Sequence, residues 1–475
     1  MVAYINKLNY FFLVYARKKF ITLKQKRNKG ITMKQTVYEN IKEEKKVRAI
    51  LVGLHMDESD SDFERSMDEL KELTKALDIE VACTVTQSLP CPDRSTYIGS
   101  GKVEEIKNSL DVFDADIIIF NDTLSPMQIR NLEKALDTEV IDRTGLILQI
   151  FAKRARTKEA RQQVEYAQLQ YMLPRLAHMR TSLSRQGGGS GRLSNKGSGE
   201  KQLELDRRRI EHRMAELRRD LSAIEKERDT QRGRRLKSGM PRISLVGYTN
   251  AGKSTIMNNL LRMYGGDSFD EKQVLEKDML FATLDTSVRK ISAPGHRPFL
   301  PSDTVGFISE LPHALVKAFR STLEEARYAD LLLQVIDFSD PEYRYHMDVT
   351  KETLAEIGAG DIPVIYVFNK SDVVQQQQES NSMLVMPVPK AMDDRIYISA
   401  KENDSLNTLI ELIEKKLSET ENECKLLLPY SEGGILSILT GKGVVKDTEY
   451  LEVGIKIAAT LGSDDYQRYK SYITQ

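Results

Sequence analysis

The stretch Gly247-Tyr248-Thr249-Asn250-Ala251-Gly252-Lys253-Ser254-Thr255 decides the reading of this chain. It carries the spacing GxxxxGK[ST], and it lies between the apolar run Arg242 to Val246 and the helical pattern Ile256 to Leu261. A phosphate-binding loop needs that strand, loop and helix context. The glycines let the backbone curl until its amides face an anion, and the following helix adds the favourable end of its dipole. In this reading Gly247, Asn250, Ala251, Gly252 and Thr255 shape the loop, Lys253 reaches the β and γ phosphates, and the Ser254 hydroxyl holds magnesium. The loop alone does not separate ATP from GTP.

The next elements make that choice. Pro301-Ser302-Asp303-Thr304-Val305-Gly306 precedes two apolar runs, Leu331 to Ile336 and Pro363 to Phe368, as a DxxG element should. Asp303 can bind magnesium through water and the Gly306 amide can sense a γ phosphate. The second run delivers Asn369-Lys370-Ser371-Asp372. A carboxylate at Asp372 can accept from guanine N1 and N2, and adenine would leave it unpaired, so the site is expected to select GTP. Ser399-Ala400-Lys401 completes the base pocket. Between the loop and Asp303, Thr283 is the expected switch residue for magnesium and the γ phosphate, with Thr286 in reserve. Phe307 stands where Ras-like proteins place a water-orienting glutamine, so hydrolysis by the free protein should be slow and should rise when a partner orders the switches.

Around this core the chain, at 475 residues, is too long for one hydrophobic core. The expected organisation is α/β and multi-domain: a basic extension over 1–46, an N-terminal α/β domain over 47–150, a helical hairpin over 151–239, a P-loop domain with a mostly parallel sheet over 240–420, and a small α/β domain over 421–475. The first 32 residues read as a dispensable arm, or as lying before the true start at Met33. Within 47–145 strand-like runs alternate with helical patterns. Gly99-Ser100-Gly101 reads as a tight turn, with a second nucleotide site as the alternative. Cys83, Cys91 and Cys424 form no CxxC pair and the six histidines are scattered, so idle thiols are expected and no zinc site. No apolar run reaches the roughly 20 residues of a membrane span, and the chain is expected in the cytoplasm, at most transiently peripheral to a membrane, as a monomer.

Net charge is zero, but residues 151–240 hold 23 Lys and Arg against 11 Asp and Glu, a local +12. That asymmetry suits a polyanion such as RNA; the alternative is a solvated helix of mixed charge. Leu203, Ile210, Met214, Leu217, Leu221 and Ile224 make a heptad seam, matched by Val164, Ala167 and Tyr171, which gives an antiparallel hairpin. Its tip, residues 185–199, holds six glycines, Arg185, Arg192 and Lys196. Exposed amides at Gly187, Gly188, Gly189 and Gly191 beside those cations can follow an RNA backbone; a flexible linker is the bland alternative.

Taken together these residues resemble the HflX family of ribosome-associated GTPases, from about residue 47 to the end. The resemblance is most specific at Asp142-Arg143-Thr144-Gly145-Leu146-Ile147-Leu148, at Ala152 to Thr157, at Gln163, Gln168 and Leu173-Pro174, at the glycine-rich tip, at Glu204 to Ile210, and at Phe281-Ala282-Thr283-Leu284-Asp285. Departures are Asn195-Lys196 within the tip, Thr286 where a proline is expected, and residues 1–32. The resemblance implies binding to the large ribosomal subunit, both RNA and proteins, with the hairpin tip near the peptidyl transferase region. It further implies splitting of stalled or idle ribosomes, particularly under stress, with hydrolysis permitting release. An assembly or quality-control GTPase that binds without splitting, and a signalling switch without RNA, are the competing readings.

Overall fold

The computed structural model describes residues 46–185, 196–265, 281, 287–309, 325–380, 387–419, 422–441, 444–461, 466 and 468–474. Thr283, Thr286, Gly187, Gly188, Gly189, Gly191 and Arg192 lie outside these, as do the side chains of Arg185 and Lys196.

The N-terminal part is built on four strands, β1 (Arg48–His55), β2 (Glu80–Ser88), β3 (Ile117–Phe120) and β4 (Glu139–Asp142), parallel throughout in the order β2-β1-β3-β4. β3 is entirely apolar and entirely buried, as a parallel strand covered on both faces must be. Helices α1 (Asp60–Ala76), α2 (Ser100–Phe113), α3 (Pro126–Leu136) and α4 (Arg143–Arg154) connect and cover the strands. Their starts are chemically marked. Ser59 caps α1 by accepting from the Asp62 amide. Ser125 and Gln128 form a reciprocal capping box on α3, with Pro126 in the first turn. Gly99 caps α2, and its amide is taken by Gln87 Oε1 at 2.9 Å, in keeping with a turn.

The hairpin is α5 (Lys158–Arg185) against α6 (Lys196–Ser238). Val164, Ala167, Ile210, Met214 and Leu217 are buried in its seam. α4 ends at Arg154, so the N-terminal unit carries its last helix four residues past the expected boundary at 150. α5 is fastened to the N-terminal sheet through Asp142, which is fully buried. That carboxylate caps α4 on the Gly145 amide at 2.8 Å, takes the Leu124 amide at 3.1 Å, accepts from Tyr171 Oη at 2.5 Å and pairs with Arg175 at 3.0 Å. Arg175 also lies over the Tyr171 ring, 3.3 Å from its centre.

The central sheet contains β5 (Arg242–Val246), β6 (Ser287–Val288), β7 (Leu300–Asp303), β8 (Leu331–Asp337), β9 (Val364–Asn369), β10 (Lys390–Met392) and β11 (Arg395–Tyr397), in the order β10-β11-β9-β8-β5-β7-β6. Its two edge pairs are antiparallel and the rest is parallel. From β5 the chain goes first to β7 on one side and then to β8 on the other, which places the topological switch point, and its ligand crevice, at the end of β5. Helices α7 (Lys253–Tyr264), α8 (Tyr343–Glu356), α9 (Ser371–Ser380) and α10 (Asn403–Glu419) accompany it. The C-terminal unit is an antiparallel sheet of β12 (Asn422–Leu428), β13 (Val445–Leu451), β14 (Gly454–Leu461) and β15 (Ile473–Thr474), ordered β13-β14-β12-β15, with α11 (Gly433–Gly441). Among the described residues no helix is long and apolar enough to cross a membrane.

Glu139, at the start of β4, is lifted to about 7 by burial and by the neighbouring Glu133. Its ordinary value is 4.5, so the folded state binds a proton there that the unfolded chain has lost, and this contribution to stability disappears as pH rises through about 7. Glu139→Gln is expected to melt above the parent protein at pH 8, the difference closing as pH falls toward 4.5; scanning calorimetry across that range checks it.

Candidate nucleotide site

The loop between β5 and α7 is held by two contacts that admit no side chain. Gly247 sits at φ +140°, where a Cβ would run into the Val335 carbonyl, and Gly252 at φ +96°, where a Cβ would meet Asn369 Nδ2. Both positions therefore require glycine. Asn250 also has positive φ, 60°, and is exposed. Lys253 is buried and its ammonium donates to the carbonyls of Gly247 at 2.9 Å and Tyr248 at 2.7 Å. Burial pulls its pKa down to about 8, opposed by the Asp303 carboxylate. An anion in the loop would raise it again.

Ser254 Oγ donates to Asp303 Oδ2 at 2.8 Å, which brings together the two oxygen groups expected for a metal although 49 residues separate them. Gly306 closes over the loop: a Cβ there would stand 2.8 Å from the Thr249 Cα and 3.1 Å from Lys253 Nζ. Beyond Gly306 the strand pairing resumes for one step. Phe307 N donates to Gly247 O at 3.1 Å and Thr249 N to Phe307 O at 2.8 Å, and the Phe307 ring is buried. No water-orienting group is offered by that residue.

The base side is equally connected. Asn369, 2% exposed, donates through Nδ2 to Ala251 O at 2.9 Å and accepts through Oδ1 from the Ala400 amide at 2.9 Å, so one side chain ties the phosphate loop to the Ser399-Ala400-Lys401 segment. Asn259 reaches Ala400 O at 2.7 Å. Lys370 pairs with Asp337 at 2.6 Å. Asp372, in the first turn of α9, is half-buried, Ser399 and Ala400 are buried, and Lys401 is exposed. Lys253, Ser254, Asp303 and Gly306 therefore line one end of a crevice whose other end is Asn369, Asp372 and Ala400.

A polar and aromatic cluster beside the loop joins it to the N-terminal unit. Tyr248 is buried and stacks on His346 with ring centres 3.9 Å apart. Its hydroxyl donates to Glu69, from α1, and accepts from the Ser309 amide at 2.8 Å. Arg143, the first residue of α4, pairs with that same Glu69, donates to Asn121 Oδ1 at 2.8 Å and to Ser309 Oγ at 3.2 Å. Burial drives the Tyr248 hydroxyl well above its ordinary pKa, with the Glu69 charge acting in the same direction, so it stays protonated. The sequence signal for this cluster is the stretch Asp142-Arg143 directly after β4, which the family resemblance marks but to which local patterning gives no partner.

Comparison with known proteins agrees with the geometry. Residues 64–152 match the family described as GTP-binding GTPase N-terminal, 154–235 the GTP-binding GTPase middle region, and 242–370 the 50S ribosome-binding GTPase family. GTPase HflX of Caldanaerobacter subterraneus is 42% identical over 90% of this chain and 94% of its own length. GTPase HflX of Escherichia coli is 38% identical over 82% and 87% respectively. A GTP-binding protein from Sulfolobus solfataricus, solved with GDP, is 24% identical over 78% of this chain and 99% of its own, with a TM-score of 0.39. The chain belongs to the HflX GTPase family, and it is a GTP hydrolase.

On the expectation that Asp372 accepts from guanine N1 and N2, Asp372→Asn leaves one neutral accepting oxygen in place of a carboxylate. Affinity for GTP is expected to fall about a hundredfold or more, at roughly 1.5–3 kcal/mol per charge-assisted bond. Xanthosine triphosphate, whose C2 carbonyl can accept from the new amide, should gain; competition binding with labelled nucleotide checks both directions.

Proposed function

We propose that this GTPase binds the large ribosomal subunit and separates stalled or idle ribosomes into subunits, with hydrolysis permitting its release. Support comes from the hairpin: a +12 segment, rooted in the N-terminal unit at Asp142, carries the glycine-rich sequence between its two helices. Arg185, Arg192, Lys196 and the amides of Gly187, Gly188, Gly189 and Gly191 are assigned to ribosomal RNA. The family description of residues 242–370 as a 50S ribosome-binding GTPase supports the same partner. The protein acts as a cytoplasmic monomer in this reading.

At the site, Lys253 binds the β and γ phosphates, the Gly306 amide addresses the γ phosphate, and Asn369, Lys370, Asp372, Ser399, Ala400 and Lys401 hold guanine. Ser254 and Asp303, two oxygen donors in direct contact, fit a hard divalent cation such as magnesium, and Thr283 is the third proposed ligand. That ion supplies charge neutralisation at the phosphates. With a buried Phe307 in place of a glutamine, turnover by the free protein stays below about one per second and rises on the ribosome. A basal rate of several per second in a phosphate-release assay would overturn this.

Sucrose-gradient sedimentation of intact ribosomes with the protein and a non-hydrolysable GTP analogue tests the main proposal. Conversion to subunits is expected with the full chain and not with a variant lacking residues 187–199. Co-sedimentation without conversion would favour an assembly or quality-control role, and no co-sedimentation would remove the ribosome from the reading.

A further inference from the structure

α4 touches the nucleotide machinery at both of its ends and the hairpin at its cap. At its N-terminus Arg143, 2% exposed, pairs with Glu69 and donates to Ser309 Oγ at 3.2 Å, three residues beyond the Gly306 that closes the phosphate loop. Glu69 also takes the hydroxyls of Ser309 and Tyr248, so this carboxylate joins the loop, the segment after Gly306 and α4. At the other end of α4, Phe151 meets Phe281 edge-on, ring centres 4.6 Å apart and planes at 78°. Both rings are 1% exposed. Phe281 belongs to the stretch between the phosphate loop and Asp303, and φ +55° there is a conformation that a bulky side chain adopts when its surroundings impose it.

The cap residue of α4 is Asp142, and the hairpin's Tyr171 and Arg175 hold that carboxylate at 2.5 and 3.0 Å. Gly145, in the first turn of α4, lies so close to Tyr171 that a Cβ would stand 2.7 Å from its hydroxyl. α4 is thus a short helix that meets Ser309 at one end and Phe281 at the other, with one buried polar junction to α5.

We infer that Arg143 and Phe151 are positioning residues for the two segments flanking the γ-phosphate end of the crevice, and that α4 carries the nucleotide state to the hairpin through Asp142 and Tyr171. This rests on the GTPase reading of the crevice and is independent of which partner the hairpin meets. Because coupling is reciprocal, anything that turns the hairpin about this junction also acts on the segments at Phe281 and Ser309.

Hydrogen exchange on the full chain, with GDP and with a non-hydrolysable GTP analogue, tests it on the parent, on Tyr171→Phe and on Phe151→Leu. Tyr171→Phe keeps the ring under Arg175 and removes only the bond to Asp142. In the parent, amides of α4 and of residues 158–175 should differ between the two nucleotides by about fivefold or more in protection, the usual scale of coupled sites. In Tyr171→Phe the difference should persist in α4 and fall to within about twofold in α5, with both nucleotide affinities unchanged within the same margin. In Phe151→Leu it should shrink in α4 as well. The proposal fails if the parent shows no nucleotide dependence in α4 while nucleotide binding is intact, or if α5 in Tyr171→Phe still responds as in the parent. A loss of nucleotide binding by the parent would instead sink the reading of the crevice itself.

Discussion

A guanidinium out of water must be neutralised and hydrogen-bonded, and Arg143 is almost fully buried. Glu69 answers that demand from α1, and in doing so brings a carboxylate against the phosphate loop. Removing either partner would strand a charge, a loss on the order of 3–5 kcal/mol, so the pair holds α1 and α4 in one arrangement. The remaining lone pairs of Glu69 are filled by hydroxyls of Tyr248 and Ser309, both from the central domain. Docking of the N-terminal unit on the nucleotide domain is therefore specified by polar satisfaction as much as by apolar area. His346 is shaped by the same cluster: burial under Tyr248 depresses its pKa, against the pull of Asp340 and Glu69.

The phosphate loop and the segments that meet it at Asp303 and Asn369 were legible from sequence because each sits at a strand end with fixed local spacing. Gly247, Gly252 and Lys253 must occur at fixed spacing after a strand, and Asn369 must end another, whatever surrounds them. The strand and helix alternation over 47–145 was legible for the same reason. The roles of Asp142, Arg143, Glu69 and Tyr248 were not legible. Apart from the cap that Asp142 makes on the Gly145 amide, their partners lie 18 to 240 residues away, and a charged residue on a helix reads locally as a solvated face.

Charge counting along the hairpin needs a similar correction. Arg207, Arg208, Arg213 and Arg228 each face a glutamate of the hairpin. The first three are exposed and contribute little stability, at most about 1 kcal/mol each, but they fix side-chain direction. They consume every bit as much positive as negative charge, so the excess of twelve survives them. The mixed-charge reading and the polyanion reading thus describe different subsets of the same arginines.

Topology explains why α4 meets the segment after Gly306 although 166 residues separate Arg143 from Ser309. In both parallel sheets functional side chains gather where strands end at their carboxyl edge. Asn121 and Arg143 follow β3 and β4; the phosphate loop follows β5, and Gly306 to Ser309 follow β7. Arg143 and Ser309 meet directly, so the two carboxyl edges face one another. The crevice that an isolated α/β sheet would offer to a small molecule is, at the N-terminal sheet, filled by the second domain's loop. A rearrangement after Gly306 must then be met by Glu69 and Arg143, because their buried charges cannot be left without hydrogen bonds. The cost of decoupling the two edges is what makes α4 able to follow the nucleotide site.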